Sequence, residues 1–229
     1  MNPINSLPSA IITSLTTSGT SIAIINQIQA DLKTKVYLKG EFIFVADQEI
    51  QSVYGINSGI AKLYFMDHFG NEFTVKLMKS GDVIGYRQIM ENEKFVGYIQ
   101  VLEDVEVSML SKNLFLHLLE VDLGFCRRII ERLCSDIRLA KEVIANLSLK
   151  DVKHRICSVL LKLHEQFSEK GSDEIQNELS REDFAKLVGV ARESLSRSLS
   201  ELVSEKIILI EKKKIKILDW NQLNKLSKI

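Results

Sequence analysis

The side chains best suited to chemistry in this sequence lie together in one short stretch near the C-terminus. Glu193, Ser196, Arg197 and Ser200 recur at intervals of three and four residues, and Arg192 comes just before them. This spacing places them on one face of a helix. An arginine can donate two hydrogen bonds to guanine, and a glutamate can accept one from cytosine. The stretch therefore predicts a helix that contacts base edges through Arg192, Glu193, Ser196 and Arg197.

The residues around this helix predict a helix-turn-helix. Three leucines share its opposite face, namely Leu195, Leu199 and Leu202. A shorter helix is predicted before it, where Ser180 and Asp183 have the spacing of a capping box. Gly189 follows at the point where the chain must turn, because glycine adopts positive φ at little cost. Two amphipathic surface helices with a solvated charged face are the alternative, so the rest of the chain must decide.

A lysine-rich hairpin is predicted next to the helix-turn-helix. Ile207–Ile210 and Lys214–Leu218 are strand-like and flank a turn at 211–213. Lysines in such a hairpin, which would form the wing beside the helix-turn-helix, would bind DNA phosphates and add affinity without sequence specificity. A run of lysines that only contact solvent is the alternative. The predicted phosphate contacts of the whole region are Ser180, Ser194, Lys212, Lys213 and Lys214.

Charge is unevenly spread along this chain of zero net charge. Residues 1–120 hold 9 basic and 13 acidic side chains (net −4), whereas residues 179–229 hold 11 and 7 (net +4). Only the C-terminal end has the positive charge expected of a phosphate-binding surface. No stretch approaches the roughly 20 apolar residues that span a bilayer, and the N-terminus lacks the positively charged start of a signal peptide. A cytoplasmic protein without a membrane partner is therefore expected.

The first half of the chain predicts an antiparallel β-roll or barrel. Gly59, Gly70 and Gly81 recur at intervals of 11 residues between short strand-like runs, which is a rhythm of antiparallel sheets. A β-sandwich with a purely structural role would show the same rhythm. The predicted strands are Glu41–Ala46, Gln51–Asn57, Ala61–Asp67, Glu72–Met78, Val83–Ile84, Phe95–Leu102 and Glu106–Leu110.

A long helix is predicted between the strands and the helix-turn-helix. From Cys126 onwards, apolar residues alternate at spacings of four and three, which is the pattern of a coiled coil. The predicted dimer seam consists of Ile130, Leu133, Ile137, Ala140, Ile144 and Leu147. A single helix packed on its own β-domain is the alternative. A second helix is predicted over Val152–Phe167, followed by a loop over Ser168–Glu178.

This order of elements resembles the Crp/Fnr family of bacterial transcription regulators, from about Ile25 to Leu218. The most specific part is the run from Leu179 to Arg197, although Ala191 replaces the usual Ser or Thr at the helix start and weakens that cap. The resemblance implies an α+β fold of three parts. Residues 1–120 would form an N-terminal leader and an antiparallel β-roll of the cyclic-nucleotide-binding jelly-roll type. Residues 121–149 would form a dimerisation helix, and residues 150–229 a C-terminal winged helix-turn-helix. It also implies a homodimeric regulator that binds a palindromic DNA operator and has RNA polymerase as a further partner.

The sensor part departs from the cyclic-nucleotide binders of the family. Those proteins follow the last glycine of the roll with a glutamate and place an Arg-Ser pair roughly ten residues later. Here Tyr86 follows Gly85, and the later segment is Lys94–Gly97. Cyclic AMP is therefore not expected to bind. By resemblance, the effector pocket would be formed by Gly85, Tyr86, Arg87, Val96, Ala140 and Lys141.

Cofactor and enzyme chemistry find little support in the sequence. No cysteine precedes Cys126, which excludes the N-terminal iron–sulfur site of one family branch. Four histidines are candidate haem ligands, namely His68, His117, His154 and His164. None of them lies in a diagnostic haem-binding motif. No nucleophile–His–Asp set, metal motif or phosphate loop suggests an enzyme. The remaining alternative is a regulatory module that binds a cyclic nucleotide, haem or another effector and acts on a protein partner rather than DNA.

Overall fold

The computed structural model describes residues 9–16, 20–168, 172–176, 179–212 and 214–228. The described residues form two compact units. The first contains those up to Asn71 together with Val75–Arg138, and the second contains Glu72–Thr74 and those from Leu139 onwards. None of the helices formed by the described residues is long and apolar enough to cross a membrane.

The first unit is built on a six-stranded sheet. Its strands are β1 (Lys33–Tyr37), β2 (Phe42–Phe44), β3 (Ser52–Met66), β4 (Glu72–Met78), β5 (Val83–Ile84) and β6 (Tyr98–Ser111). The strand order is β1-β6-β3-β4, with β2 also paired to β6 and β5 to β3. β6 runs antiparallel to β1, β2 and β3. The predicted antiparallel roll is therefore confirmed.

Two of the predicted strand breaks are wrong. Apart from Gln51 and Asp67, the predicted strands Gln51–Asn57 and Ala61–Asp67 belong to the single strand β3, and the predicted strands Phe95–Leu102, from Tyr98 onwards, and Glu106–Leu110 join in β6. Gly59 lies inside β3 with a φ of +83°, and the register with β6 shifts on both sides of it. The glycine therefore forms a β-bulge, which bends a strand without ending it. A side chain there would be impossible, because its Cβ would lie 2.0 Å from the Asp104 carbonyl oxygen.

Four short helices formed by the described residues complete the roll. They are α1 (Ala10–Leu15), α2 (Ile22–Asp31), α3 (Tyr86–Glu91) and α4 (Lys112–Val121). Helix α4 begins where the Ser111 hydroxyl accepts a hydrogen bond from the Leu114 amide, at 3.3 Å. Phe115 and Leu118 of this helix are fully buried in the core of the roll.

The long helix α5 (Leu123–Leu149) follows directly. It starts at Asp122, whose Oδ1 accepts from the amides of Gly124 and Phe125 at 2.8 and 3.1 Å. Phe125 and Ile129 are buried in the core of the roll, and the Phe125 ring packs edge-to-face on Phe115 with centroids 5.8 Å apart. The first half of α5 is therefore an integral part of the first unit.

The second unit combines helices with a small sheet. Its remaining elements are α6 (Val152–Phe167), β7 (Glu174–Gln176), α7 (Arg181–Val188), α8 (Arg192–Ser204), β8 (Ile208–Glu211), β9 (Lys214–Ile217) and α9 (Trp220–Ser227). The strand order is β7-β9-β8. The loop predicted over Ser168–Glu178 is wrong at β7, whose backbone pairs with β9. Ile156, Leu160, Phe184, Leu195 and Leu202 are fully buried in this unit.

Candidate nucleic-acid interface

Helix α7 begins at the cap that the sequence predicts. The Ser180 hydroxyl oxygen accepts a hydrogen bond from the Asp183 amide at 3.0 Å, and its proton points to Asp183 Oδ2 at 2.6 Å. This cap satisfies one of the free amides at the helix start and places acidic Glu182 and Asp183 in the first turn, where the helix dipole favours negative charge.

The turn between α7 and α8 depends on Gly189. Its φ of +73° lies in the left-handed region, and the amides of Gly189 and Val190 both donate to the Ala185 carbonyl, at 2.9 and 3.0 Å. This is how a helix ends tightly at a glycine. Ala185 is almost completely buried, at 3% exposed, so its small side chain allows the close approach of α7 to the helices it packs against.

Helix α8 presents the two faces that the sequence predicts. Leu195, Leu199 and Leu202 are buried, at 0 to 2% exposed. The predicted base-contacting side chains are exposed, namely Arg192, Glu193, Ser196 and Arg197. Ser194 is partly buried in the first turn. The helix thus packs by its leucines and offers two arginines, a glutamate and a serine to a partner.

The start of α8 lacks a side-chain cap. Ala191 is the N-cap residue, with φ −66° and ψ 148°, and its side chain makes no capping hydrogen bond. Its methyl group has no acceptor for the free amides of the first turn. These amides are available to other acceptors, including phosphate oxygens.

A pocket of about 280 Å³ lies beside the exposed face of α8. It is lined by Arg181, Ser196, Leu199, Ser200, Val203 and Ile210. The Nη1 atom of Arg181 is buried and has no hydrogen-bond partner in the described part of the chain. An unpaired buried guanidinium N–H is costly, and an anionic acceptor would relieve that cost. Arg181 is absent from the predicted contacts, although its place next to the Ser180 cap was a signal for it.

The hairpin after α8 forms as the sequence predicts. Glu211 of β8 pairs with Lys214 of β9, so the connection is short. Lys212 is exposed and has a φ of +53°. Lys214 Nζ lies 3.1 Å from Glu174 Oε2, which reduces the positive charge it offers. The predicted phosphate contact Lys213 lies outside the described residues.

Two of the residues assigned to an effector pocket, Tyr86 and Arg87, are bonded to other side chains of the protein. Tyr86 is 4% exposed, and its hydroxyl donates to Asp136 of α5. Burial, and then the hydrogen bond to Asp136, raise the pKa of this phenol far above its usual range. Arg87 forms an ion pair with Glu91 at 2.6 Å, and Gly85 has a φ of +90°.

The remaining effector-pocket positions, Val96, Ala140 and Lys141, are exposed. Their part in an effector pocket stays a prediction.

The predicted seam of α5 is largely exposed. Ile130, Ile137 and Ile144 are 54, 56 and 63% exposed, and Leu147 is 40% exposed. Leu133 packs partly against the core of the roll, and Ala140 is exposed. Leu123 extends the row, seven residues before Ile130 and 87% exposed, and lies outside the predicted seam. A row of exposed aliphatic side chains this long is typical of an interaction surface.

The histidines considered as haem ligands are dispersed. The ring of His68 packs at a tilt against Phe69, with centroids 3.9 Å apart and an angle of 42° between the planes. His154 Nδ1 lies 2.6 Å from Asp151 Oδ1, and His164 Nε2 lies 2.6 Å from the Ser172 carbonyl oxygen. Among the residues that the structure describes, no group of three or more His, Cys, Asp or Glu side chains could hold a metal ion.

Two family models match the chain. The model of the Crp-like helix-turn-helix domain matches residues 154–226, and that of the cyclic nucleotide-binding domain matches residues 34–122. Together they account for more than half of the chain, in the order expected for the resemblance. They assign the β-roll and the helix-turn-helix to two known domain types.

Curated relatives carry the names of regulators. The chain is 26% identical to the fumarate and nitrate reduction regulatory protein of Vibrio cholerae over 197 residues, which are 85% of this chain and 78% of the relative. It is 24% identical to the cAMP-activated global transcriptional regulator CRP of Salmonella typhimurium over 163 residues, which are 70% of this chain and 78% of the relative.

Solved structures share the fold. FixK2 from Bradyrhizobium japonicum superposes with a TM-score of 0.79 at 20% identity, over 86% of this chain and 98% of that protein. A CooA mutant from Carboxydothermus hydrogenoformans superposes with a TM-score of 0.75 at 18% identity, over 93% and 98%. The two domain types, their order and these relatives agree, and they confirm the prediction of a regulator rather than an enzyme. The chain belongs to the Crp/Fnr family of DNA-binding transcription regulators.

Proposed function

We propose that this regulator works as a homodimer that binds one palindromic DNA site. The observation that carries the proposal is the exposed row of Arg192, Glu193, Ser196 and Arg197 on a helix whose other face is buried. A recognition helix of this kind inserts its first turns into the major groove, where side chains reach base edges. Two such helices about 34 Å apart would contact successive major grooves on one face of the DNA.

Phosphate contacts around α8 would fix its position on the duplex. Ser180, Arg181 and Ser194 lie at the starts of the two helices, and Lys212 is exposed at the hairpin turn. The buried and unpaired Nη1 of Arg181 would gain an acceptor from a phosphate oxygen. Lys213 and Lys214 are assigned to phosphate contacts from the sequence alone. Such contacts supply affinity and orientation rather than specificity.

The exposed seam of α5 would provide the dimer contact. Ile130, Ile137 and Ile144 follow one another every seven residues and are more than half exposed. Pairing with the same row of a second copy would bury them in a parallel coiled coil. We assign residues 121–149 to this dimerisation helix, 1–120 to the sensor part and 150–229 to the DNA-binding part.

The roll would regulate DNA binding without cyclic AMP. A buried cyclic phosphate needs a cationic partner. The position after Gly85 holds the buried Tyr86, whose hydroxyl is bonded to Asp136. Arg87, the nearest cation along the chain, is paired with Glu91. A regulator of this kind would act in the cytoplasm, where it meets the chromosome and RNA polymerase.

Selection of duplexes from a random-sequence library by the full-length protein tests this proposal. We expect enrichment of a palindrome whose half-site centres are one DNA turn, roughly 10 base pairs, apart. Millimolar cyclic AMP should leave the affinity for the enriched duplex unchanged. If no palindrome were enriched, the proposed DNA-binding function would be rejected in favour of a module that acts on a protein partner.

A further inference from the structure

The segment before the sheet is docked into the roll. Ile11 and Leu15 of α1 are fully buried, and the Ala10 amide donates to Asn57 Oδ1 at 2.9 Å. Gly55 of β3 makes room for this helix, because a Cβ there would lie 2.8 Å from Ile11 Cγ1. The N-terminal helix is therefore a fixed part of the sensor.

The same helix meets α5 at a single backbone carbonyl. The oxygen of Gly81, in the turn between β4 and β5, accepts a hydrogen bond from the Ser14 hydroxyl at 2.9 Å. It also accepts one from Arg132 Nη2 of α5 at 3.1 Å. A carbonyl oxygen has two lone pairs, and both are used here. Helix α1, which we call the leader helix, and helix α5 are thus both hydrogen-bonded to the Gly81 carbonyl oxygen in the β4–β5 turn.

A second bond joins the roll to the next turn of α5. Asp136 lies four residues after Arg132, so the two side chains share one face of the helix. Asp136 accepts a hydrogen bond from the hydroxyl of Tyr86, which is buried at the start of α3, directly after β5. Asp136 itself is exposed, whereas Tyr86 is 4% exposed, and a hydrogen bond to a carboxylate is stronger than one between neutral groups.

These two side chains lie next to the dimer seam without covering it. Arg132 precedes Leu133, and Asp136 precedes Ile137. Ile130 and Ile137 remain 54 and 56% exposed while Arg132 and Asp136 are bonded to the roll. The bonded arrangement therefore leaves the seam free to pair with a second copy.

We propose that the leader helix, the Gly81–Tyr86 segment and the first half of α5 form an internal lock that holds this regulator in its DNA-binding arrangement without a small-molecule effector. The proposal rests on the proposed DNA-binding function. It also departs from the expectation that an effector bound near Gly85 sets the state of the protein.

The lock has a definite thermodynamic role. A ligand shifts a conformational equilibrium only by the difference in its affinity for the two states. When the binding-competent state is populated only in part, the apparent affinity falls by that fraction. Bonds from Ser14, Arg132 and Tyr86 that exist only in the locked arrangement would keep its population near one. These bonds would affect DNA binding only through the population of the locked arrangement, because none of the three side chains would contact the DNA.

The test compares the wild-type protein with Tyr86→Phe and Asp136→Ala, using anisotropy of the enriched, labelled duplex. Native mass spectrometry first establishes that the protein carries no bound small molecule. We expect the effector-free wild type to bind fully. Each variant should bind about tenfold more weakly, the loss typical of one hydrogen bond to a charged group. The double variant should bind no more weakly than either single one, because both remove the same bond.

Two further variants separate the lock from a general loss of stability. Asp136→Asn keeps an acceptor oxygen for the tyrosine hydroxyl and should retain most of the wild-type affinity. Ser14→Ala removes only the leader's bond to Gly81 and should weaken DNA binding by a few fold. All variants should keep the slope of affinity against salt concentration, because no phosphate contact is lost.

Two results would overturn the lock. One is a wild-type protein that binds the enriched duplex only after a small molecule is added. The other is unchanged affinity in both Tyr86→Phe and Asp136→Ala. Failure of the library selection itself would instead reject the DNA-binding function, so the two failures are distinguishable.

Discussion

Lys150 Nζ lies 2.5 Å from the backbone carbonyl oxygen of Ser227. The same ammonium group donates to the Ser158 hydroxyl at 2.8 Å, and that hydroxyl is 3.0 Å from the Ser227 carbonyl. Burial lowers the pKa of Lys150 from its usual value. These hydrogen bonds fix the end of α9 against Ser158 of α6. The positive charge of Lys150 is also favourable there, because it lies at the C-terminal end of a helix.

Replacement of this lysine should loosen the C-terminal helix. Lys150→Met keeps the length of the side chain but removes all donors, so the Ser227 carbonyl loses a charged partner. We expect the free energy of unfolding to fall by about 1–3 kcal/mol, measured by urea denaturation. Lys141→Met, at an exposed position of α5, is the control and should change stability by less than about 0.5 kcal/mol. Equal effects of the two variants would contradict the assigned role.

The exposed face of α8 predicts two kinds of DNA-binding variant. Glu193→Ala and Arg197→Ala should each lose roughly 1–3 kcal/mol for the selected site and relax its base preference. Lys212→Ala should weaken binding to all sequences alike and lower the salt slope by about one. Competition with shuffled duplexes at several salt concentrations distinguishes the two classes. An unchanged base preference in Glu193→Ala would mean that α8 docks differently.

The exposed seam predicts the oligomeric state. Ile137→Glu puts a charge in the middle of the apolar row and should convert the dimer into monomers at micromolar concentration, because an unpaired buried charge is strongly unfavourable. Ser135→Glu adds the same charge to the opposite, exposed side of α5 and should leave the dimer intact. Sedimentation velocity measures both. A dimer that persists in Ile137→Glu would place the contact elsewhere.

The missing cap of α8 offers a stabilising substitution. Ala191→Ser would supply an acceptor for a free amide of the first turn, and we expect a gain of about 1 kcal/mol in the free energy of unfolding. Ala191→Val lacks that acceptor and is the matched control. Ser180→Ala should lose a similar amount, because it removes the cap of α7. Thermal denaturation of the three variants checks the signs, and a destabilised Ala191→Ser would refute the expectation.

The three cysteines should differ in reactivity. Cys134 is exposed and Cys157 is buried, and burial raises the pKa of the Cys157 thiol to about 11. Only about 0.1% of Cys157 would then be thiolate at pH 8. Iodoacetamide should therefore label Cys134 in the native protein and Cys157 only after unfolding, as read by mass spectrometry. Rapid native labelling of Cys157 would contradict its burial.

The raised pKa of Cys157 also predicts a pH effect on stability. The folded state holds the thiol proton more tightly than the unfolded state does. This contribution to stability is complete below the ordinary thiol pKa and is lost as the pH rises through about 11. Cys157→Ser would remove this part of the alkaline transition, which a series of urea melts from pH 8 to 11 would resolve.

The features that could be predicted from the sequence are those formed by residues close together in the chain. Ser180 and Asp183 form the cap of α7, and Gly189 has the positive φ that the turn requires. The leucine row of α8 is buried as its spacing indicates. Short-range chemistry of this kind is visible in the sequence between Ser180 and Leu202, and it predicted which face of α8 is exposed.

Other features depend on partners far along the chain. Gly59 indicates a turn by its type, yet pairing with β6 continues past it and makes it a bulge. Strand β7 has only three residues, and it exists because β9 lies beside it, as the Ile175–Ile215 pair shows. The bond between Tyr86 and Asp136 spans 50 positions. No local pattern encodes such pairs, because each requires the fold to bring the two partners together.

The close contact between Gly55 and Ile11 should restrict which residues homologues can have at these two positions. A methyl group at this position would lie 2.8 Å from the side chain of Ile11, so the strand and the leader cannot vary independently. Any larger residue at 55 requires a smaller or displaced leader, and any lineage that loses the leader frees position 55 to change. Glycine at 55 and an aliphatic residue at 11 should therefore covary among homologues, and the pair identifies from sequence those proteins that keep a docked N-terminal helix.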